Sequence, residues 1–505
     1  MIQYWTLFNF VFEYLIFFYM MSILLSYVVF LTLSLRYLYR YKRTKTSRYE
    51  RLLFDTSPFT PGVSIIAPAY NEEVTIIDNV NSILSVDYPK YEVVIVNDGS
   101  KDKTLALLID KFEMVEVPYA YIEAVPAKPF KRLFRSVNPK YYQLTVVDKV
   151  AGGTKADASN AGVNVAKYPY FVCTDVDCIL DKDALYNTIK AVTVSNTEII
   201  AVSATMRMSN GCDVENGRIK SVKAPSSIIP LFQELEYLRS YMIGKMGWSE
   251  INAMPNVSGG FGVFKRDVVI SAGGYNPESF AEDMECVFSI VQYMLSQGKP
   301  YKITQIPETC CWTEGPSSIV TLRRQRRRWG RGFLQVFRVN RHIMLNQQMK
   351  RLGVLTAPYM FLFEALAPII ELLGFIYLVI IIFFLDRINW DNAIILIIMV
   401  FFFSQTMTLF CIYLDRYVKV LYKSRWEYLK LILISPLEII IYHPLILLFT
   451  IDGQISFFSK KKFKWGEMTR KGFVEKQNVK PKEEEDKTLK NKFYDGPDIT
   501  DKSIV

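Results

Sequence analysis

Residues 170–177 read Tyr-Phe-Val-Cys-Thr-Asp-Val-Asp, a short apolar run that ends in two aspartates one residue apart. A run of this length and composition predicts a β-strand that is buried on both faces. The aspartates then stand at the strand's carboxyl end, where parallel α/β sheets bind their ligands. Hard carboxylate oxygens suit Mg²⁺ or Mn²⁺ together with a diphosphate. We therefore interpret Asp175 and Asp177 as metal ligands.

Similar apolar runs alternate with helical stretches on either side of this segment. The predicted strands are Val63–Ala67, Val93–Asn97, Tyr170–Thr174 and Ile199–Ala204, and the predicted helices lie near Val74–Leu84, Thr104–Phe112 and Lys155–Ala166. Strand–helix alternation is typical of a Rossmann-like α/β domain with a mostly parallel sheet. The polar residues that follow each strand should then converge on one crevice.

Two more polar clusters follow predicted strands, at residues 68–73 (Pro-Ala-Tyr-Asn-Glu-Glu) and 97–100 (Asn-Asp-Gly-Ser). A third segment, residues 152–155 (Gly-Gly-Thr-Lys), opens a predicted helix. Free N–H groups and the helix dipole suit a diphosphate there, although its spacing differs from a Walker A loop. A plain turn with a surface lysine explains Lys155 equally well.

Two later segments also carry chemistry. Glu282 and Asp283 precede an apolar helix, so Asp283 is either an N-cap or a general base. Residues 323–329 read Arg-Arg-Gln-Arg-Arg-Arg-Trp. Such a run near a membrane is usually a lipid anchor, but arginines can also neutralise a leaving diphosphate. The Gln and Trp within the run are not needed by a lipid anchor.

Apolar segments flank the α/β region and predict membrane helices. The first runs from about Phe8 to Leu35 and is followed by basic residues, whereas no Lys or Arg precedes it. This pattern does not fit a cleavable signal peptide, and it predicts an outside N-terminus with a cytoplasmic middle domain. Three further blocks cover about 352–385, 392–414 and 427–458. The net charge of +10 comes largely from clusters beside these segments, so it does not indicate nucleic-acid binding.

Three later crossings would leave the basic residues 460–464 outside, which the positive-inside rule disfavours. The first and last of these blocks are longer than one crossing requires, and both are interrupted by prolines. We therefore expect one of them to contribute an interfacial or re-entrant segment, for four or five crossings in total. The residues after Val474 are highly charged and without periodicity, which predicts disorder.

Together these motifs resemble the processive branch of family 2 glycosyltransferases, which includes cellulose, hyaluronan and poly-N-acetylglucosamine synthases. The resemblance covers about residues 60–470 and depends on Gln325-x-x-Arg328-Trp329 standing after the Asp-x-Asp and Glu-Asp pairs. It implies a GT-A catalytic domain attached to an α-helical transmembrane domain. It also implies domains at 1–45 (first helix and basic linker), 46–345 (catalytic), 346–458 (membrane channel) and 459–505 (gating-like segment and tail).

The resemblance also assigns site residues. Tyr70, Glu72, Asp98, Lys155 and Asp175 would bind the donor, Asp175 and Asp177 the metal, and Gln325, Arg328 and Trp329 the diphosphate or acceptor. Asp283, beside Glu282, would be the catalytic base of an inverting transfer. Trp465 and Arg470 resemble a gating segment, with a two-residue insertion, but a basic interfacial segment with a Trp anchor explains them equally well.

The predicted function is polymerisation of a UDP-sugar, with UDP-glucose or UDP-N-acetylglucosamine favoured, into a β-linked polysaccharide that crosses the plasma or inner membrane. The expected partners are the donor, the growing polymer and membrane lipid; an accessory subunit stays open and no nucleic acid is expected. One alternative is addition of a single sugar to a lipid. Another is an inactive scaffold or a transporter, since Glu13, Glu364, Glu371 and Glu438 lie in or near the apolar segments.

Overall fold

The computed structural model describes residues 2–43, 48–215, 217–380, 383 and 390–459. Its strands are β1 Val63–Ala69, β2 Tyr91–Asn97, β3 Met114–Glu116, β4 Phe130–Ser136, β5 Leu144–Lys149, β6 Tyr170–Thr174, β7 Ile179–Leu180, β8 Ile199–Met208, β9 Asp213–Glu215, β10 Arg218–Ser221, β11 Phe261–Lys265 and β12 Lys302–Thr313. Ten of them form one sheet in the order β3-β4-β5-β2-β1-β6-β11-β8-β12-β7, and β9 and β10 form a separate hairpin.

Helices cover both faces of the sheet and continue beyond it. They are α1 Ile2–Arg43, α2 Arg48–Thr56, α3 Ile76–Leu84, α4 Thr104–Lys111, α5 Lys155–Val165, α6 Ala184–Thr193, α7 Ile228–Arg239, α8 Met246–Glu250, α9 Arg266–Ser271, α10 Glu282–Ser296, α11 Ile319–Val339, α12 Ala357–Met360, α13 Ala367–Ile380, α14 Trp390–Val418, α15 Arg425–Leu437 and α16 His443–Phe458. Short π-helical segments at Ser240–Lys245, Leu352–Thr356, Phe361–Ala365 and Glu438–Tyr442 interrupt or join them.

The centre of the sheet is parallel, as the sequence predicts. Strands β5, β2, β1 and β6 run in the same direction, whereas β4, β11 and β7 run against their neighbours. In this register Ala69 pairs with Asn97 and Asn97 pairs with Asp148, so the carboxyl ends of three strands lie side by side. The four predicted strands are confirmed, whereas β5 was not predicted.

The central strands are buried on both faces. Alternate residues of β1 and β2 belong to different apolar clusters: Ile66 and Val94 pack on one side of the sheet, and Ile65 and Val93 on the other. Each such side chain contributes about 1.5–3 kcal/mol when it is fully buried. This two-sided burial explains the continuous apolar runs in the sequence.

Within the part of the chain that the structure describes, four helical segments are long and apolar enough to cross a membrane: Val11–Arg43, Leu352–Ile380, Ile397–Val418 and Arg425–Phe458. We describe the chain accordingly as a membrane protein. The last segment also follows the α/β domain along its length. Glu427 accepts a hydrogen bond from the Ala224 N–H near its start, and the Ser456 carbonyl accepts one from Arg331 near its end.

Buried ion pairs join the α/β domain to these helices, and we call them the charge interface. The first group is centred on Arg207 at the end of β8, which is 1% exposed. Its guanidinium contacts Glu234 of α7 at 3.1 Å and Asp415 of α14 at 2.9 Å. The Tyr422 hydroxyl donates to Glu234 as well, at 2.8 Å. Strand, interfacial helix and membrane helix are thus held at one point.

The second group of the charge interface lies further along α7. Both terminal nitrogens of Arg239 donate hydrogen bonds to the Glu438 carboxylate, at 2.6 and 2.8 Å. Arg326 of α11 makes a similar two-pronged contact with Glu236, at 2.5 and 2.6 Å, and donates to the Tyr442 hydroxyl. Paired geometry of this kind offsets the desolvation of buried charges. Helix α7 therefore connects β8, α11 and the membrane helices.

Residues 460–464, Trp465, Arg470 and the charged tail up to Val505 lie outside the described residues. The gating assignment and the disorder of the tail therefore stay predictions.

Candidate functional site

Hydrogen bonds join the loop after β1 to the loop after β2. The Asn71 N–H donates to Ser100 at 3.0 Å, and the Glu73 N–H donates to Asp102 at 3.1 Å. Asn71 has a left-handed φ of 55°, which Asn tolerates better than most residues. Tyr70 is 44% exposed at the rim, and Glu72 accepts a hydrogen bond from Thr75. The two predicted donor-binding loops are therefore hydrogen-bonded to each other and form one wall of the crevice.

Asp98 lies at the base of this wall and is almost fully buried. Its carboxylate accepts hydrogen bonds from Lys149 Nζ at 2.7 Å, from the Gly152 N–H at 2.8 Å and from the Gly153 N–H at 3.0 Å. Lys149 is fully buried and also pairs with Asp157 of α5. Asp98 thereby holds the turn that opens α5, in addition to the donor-binding role that the sequence predicts.

Lys155 begins α5 and crosses the crevice. Its Nζ donates to Asp175 at 2.5 Å and to the Gly259 carbonyl at 2.6 Å. Burial alone would lower the pKa of this amine, but the negative charges of its neighbours, Asp175 foremost, raise it above its usual value. Lys155 is therefore a permanent cation between the two halves of the site, and not the surface lysine of the plainer interpretation.

Asp175 and Asp177 offer ligand atoms that lie, together with the Cys178 thiol, within 4.8 Å of one another. Asp177 is buried, whereas the Asp175 side chain is 37% exposed. Two carboxylates of this kind suit a divalent cation that prefers oxygen ligands, such as Mg²⁺ or Mn²⁺. A thiol suits softer metals, so Cys178 adds nothing to that preference. The donor set fits the predicted cofactor.

Glu282 and Asp283 open α10 on the opposite side of the crevice. The Gly259 N–H donates to Asp283 Oδ2 at 3.2 Å, and the Met284 N–H donates to Oδ1 at 2.9 Å. Glu282 is more deeply buried, and burial raises its pKa to about 7, helped by the nearby Asp283 charge. The Gly259 peptide thus touches Asp283 through its N–H and Lys155 through its carbonyl, which places the predicted base beside the predicted diphosphate residues.

A cavity joins these groups. It is lined by side chains from β6, α5, α10 and the 257–260 loop, including Lys155, Cys173, Ser258, Tyr275 and Asp283. Gly260, the next residue of this loop, has no room for a side chain, because a Cβ there would lie 2.5 Å from Met206 Cε and 3.6 Å from an Asp175 oxygen. The structure thereby brings Lys155, Asp175, Glu282 and Asp283 into one site.

Helix α11 carries the Gln-x-x-Arg-Trp segment. Gln325 accepts a hydrogen bond from Gln233 of α7 at 3.0 Å. The charge of Arg328 acts on Glu282 and lowers its pKa against the larger effect of burial, so Arg328 faces the α10 side of the site. The Trp329 ring lies 4.4 Å from the guanidinium of Arg326, which is itself buried in the charge interface.

Glycines allow α11 to lie unusually close to its neighbours. A Cβ on Gly330 would meet the Thr450 carbonyl of α16 at 2.6 Å, and one on Gly453 would meet the Arg327 carbonyl at 2.4 Å. On another side, a Cβ on Gly332 would meet the Phe280 carbonyl carbon at 2.8 Å, just before Glu282. Helix α11 is therefore in backbone contact with both a membrane segment and the loop that leads to the base.

Comparisons with known proteins agree with this geometry. Residues 64–118 match the model of Glycosyl transferase family 2, and residues 230–409 match Glycosyl transferase family group 2. The first match covers the predicted donor-binding loops, and the second covers α10, α11 and part of the charge interface. Two segments of the chain thus match models of family 2 glycosyltransferases. The α/β sheet with its parallel centre and the helices long enough to cross a membrane confirm the predicted fold class.

The chain resembles poly-β-1,6-N-acetyl-D-glucosamine synthases. It is 28% identical to the one from Staphylococcus epidermidis over 61% of this chain and 62% of the relative. It is 26% identical to that of Staphylococcus aureus over the same fractions. The chain thus spans less than two thirds of these relatives. A mannosyltransferase structure from Pyrobaculum calidifontis, in complex with GDP-Man and Mn²⁺, is 19% identical with a TM-score of 0.48, covering 87% of this chain and 99% of the other.

Sequence reasoning missed several residues of the site. Lys149 and Asp148 end β5, whose apolar run Leu144–Val147 carried the same signal as the other strands. Asp148 accepts from Asn97 at 2.9 Å and from Arg132 at 3.0 Å, so it braces the end of the sheet. No signal in the sequence indicated Arg326 as the buried member of its basic run.

Proposed function

We propose that this glycosyltransferase is a processive, inverting synthase that transfers N-acetylglucosamine from UDP-N-acetylglucosamine to the end of a β-linked polysaccharide. The observation that carries the proposal is the Gly259 peptide, which lies between the Asp283 carboxylate and the Lys155 ammonium group. Its position juxtaposes a proton acceptor with a diphosphate-binding cation. The names of the relatives support the choice of sugar and of a polymeric product.

In the proposed reaction, Asp283 accepts the proton of the acceptor hydroxyl while that oxygen forms a bond to C1 of the donor sugar. The bond between C1 and the diphosphate oxygen breaks, and UDP leaves with the electron pair. Asp175 and Asp177 would hold Mg²⁺ or Mn²⁺, whose charge offsets that of the diphosphate. Lys155 and Arg328 add positive charge nearby, and Tyr70, Glu72 and Asp98 form the wall proposed to bind uridine.

The acceptor would enter from the membrane side. Gln325 and Trp329 lie on α11, which is in backbone contact with α16. A polymer end placed against Trp329 would therefore be next to both the base and the membrane helices. This proximity supports a product that leaves through the membrane part of the chain.

The test uses the full chain in lipid nanodiscs, supplied with one UDP-sugar at a time and with Mg²⁺ or Mn²⁺. We expect UDP release with UDP-N-acetylglucosamine and a long hexosaminidase-sensitive product, and neither with Asp283→Asn. A short lipid-soluble product would replace the proposal by single addition to a lipid. Absence of UDP release with every donor, in folded protein, would favour the scaffold alternative.

We also propose a cytoplasmic catalytic domain, with α15 and α16 returning to its face instead of crossing. The contacts of Glu427, Glu438 and Ser456 with α/β-domain residues support this arrangement. Three crossings, by α1, the 352–380 segment and α14, then leave residues 460–464 in the cytoplasm, as the positive-inside rule requires. With Cys212 replaced by Ser, Ser459→Cys should react with a membrane-impermeant maleimide only after cells are opened. Reaction in intact cells would contradict the topology.

A further inference from the structure

A short π-helical segment, Ser240–Lys245, lies between α7 and α8 and brings two polar side chains to the back of the crevice. Single π-helical turns are rare and are often found at functional sites. Tyr241 and Lys245 lie one turn apart in this segment, and both are buried. Neither residue belongs to the motifs described above, and the proposed reaction does not use them.

Both side chains reach the same atom. Lys245 Nζ donates to Ser258 Oγ at 2.8 Å, and the Tyr241 hydroxyl lies 2.6 Å from the same oxygen. The Lys245 amine also lies 4.9 Å from the centre of the Tyr241 ring. Lys245 makes no ion pair with any residue that the structure describes, which is costly for a buried amine. Burial accordingly lowers the pKa of Lys245 to about 8, although the Asp283 charge opposes this effect.

Ser258 leads directly into the peptide that organises the reaction. Its neighbour Gly259 donates to Asp283 and accepts from Lys155, as described above. Ser258 itself lines the cavity together with Glu282 and Asp283. Displacement of the Ser258 side chain would therefore move the Gly259 backbone, which contacts both Asp283 and Lys155.

We propose that Tyr241, Lys245 and Ser258 form a positioning network that holds the Gly259 peptide between Asp283 and Lys155, with Lys245 contributing a positive charge behind the base. The inference rests on the proposed function, because it assigns these residues to the same transfer reaction. The three residues act through the peptide and Asp283, and none of them is placed in contact with the reacting atoms.

The charge on Lys245 gives the network a pH dependence. Asp283 of α10 is the charged group that acts on Lys245 within the described residues, and the Tyr241 ring faces it from its own segment. Tyr237 of α7 and Cys311 of β12 act on Tyr241 instead. Lys245 is charged below its pKa and becomes neutral as the pH rises through about 8, so its charge and its strongest contact with Ser258 weaken on the alkaline side.

The experiment compares wild type, Lys245→Met, Lys245→Arg and Ser258→Ala, with Lys265→Met as the matched control. Lys265 pairs with Glu198 at the end of β11, away from this cavity. In Lys245→Met, kcat should fall at least about tenfold with little change in the KM for the donor, because small misplacements of catalytic groups are costly. Lys245→Arg should recover most of kcat and shift the alkaline limb of the pH–rate profile to higher pH. Wild-type kcat in Lys245→Met, or an unchanged limb in Lys245→Arg, would overturn the inference.

Hydrogen exchange of peptides covering Val257–Phe261 separates this inference from the proposed function, since it needs no turnover. We expect exchange in Lys245→Met and Ser258→Ala to be about tenfold faster than in wild type and in Lys265→Met. Unchanged exchange would refute the network whatever the kinetics show. If exchange is faster in these two variants but the wild-type protein releases no UDP, the network is retained and the proposed reaction is rejected.

Discussion

The crevice and the charge interface are both rich in charged residues, but they are balanced differently. In the crevice, Asp175, Asp177, Glu282 and Asp283 surround Lys155, and Asp175 is partly open to solvent. In the charge interface the carboxylates of Glu234, Glu236 and Glu438 each contact a guanidinium within 3.1 Å. An excess of negative charge is costly unless a cation enters, whereas paired charges need no ligand. The first arrangement suits binding and reaction, and the second suits a fixed joint.

The sharpest way to test this difference is to change one charge in each region. Asp283→Asn removes the proposed base while keeping the shape of the side chain. We expect turnover to fall by about 10²–10⁴-fold, the usual contribution of general base catalysis, with an unchanged melting temperature. UDP release and thermal unfolding of the same nanodisc sample measure the two effects. Retained turnover would remove Asp283 as the base.

Arg207→Met should have the opposite profile. It leaves Glu234 and Asp415 buried without their shared cation, and breaking a buried ion pair typically costs about 3–5 kcal/mol. We expect a large drop in the melting temperature. The control is Arg218→Met on the β9–β10 hairpin, where the exposed guanidinium donates to the Ser85 carbonyl at 3.4 Å. Equal effects of the two substitutions would contradict the distinction between joint and surface.

Glu282→Gln tests how much the buried Glu282 carboxylate, with Asp283 beside it, lowers the stability of the folded protein. Because the folded-state pKa of Glu282 is raised to about 7 from an ordinary value near 4.5, stability falls as the pH rises between these values. The neutral glutamine should therefore stabilise the protein by about 1–3 kcal/mol at pH 8 and by almost nothing at pH 4. Melting temperatures of wild type and variant across this range provide the measurement. A stabilisation that does not depend on pH would exclude this explanation.

The smallest effect is expected at the rim of the charge interface. Arg323 pairs with Asp452 of α16 at 2.9 Å, but the Arg323 side chain is 57% exposed. Exposed pairs contribute at most about 1 kcal/mol and weaken with salt. Asp452→Asn should therefore shift the melting temperature only slightly, and less in high salt. A shift as large as that of Arg207→Met would show that burial does not separate the two pairs.

The same contrast explains what could be predicted from the sequence. Residues of the crevice follow apolar runs, so Asp98 and Asp175 were predictable from strand ends and the rule that ligands bind there. The partners of the charge interface, by contrast, lie 208 residues apart for Arg207 and Asp415 and 199 for Arg239 and Glu438. No local periodicity encodes such pairs.

Lys245 was missed for a different reason. An amphipathic helix is predicted from a period of 3.6 residues, and a π-helical turn shifts that phase. Lys245 is the last residue of such a segment, so its position in the sequence gave no indication that it is buried. The family resemblance did not help either, because its motifs contain the residues proposed to meet substrate and not the residues that hold them in position.

The glycine contacts of α11 have a consequence for the lipid around the protein. Gly330 and Gly453 allow the backbones of α11 and α16 to touch, and Gly332 allows α11 to touch the backbone at Phe280. Few side-chain atoms therefore separate α16 from the loop that precedes Asp283. A change in the tilt or depth of α16 would reach Asp283 through main-chain atoms. Acyl-chain length, which sets the thickness of the bilayer around α16, is then expected to change the reaction rate.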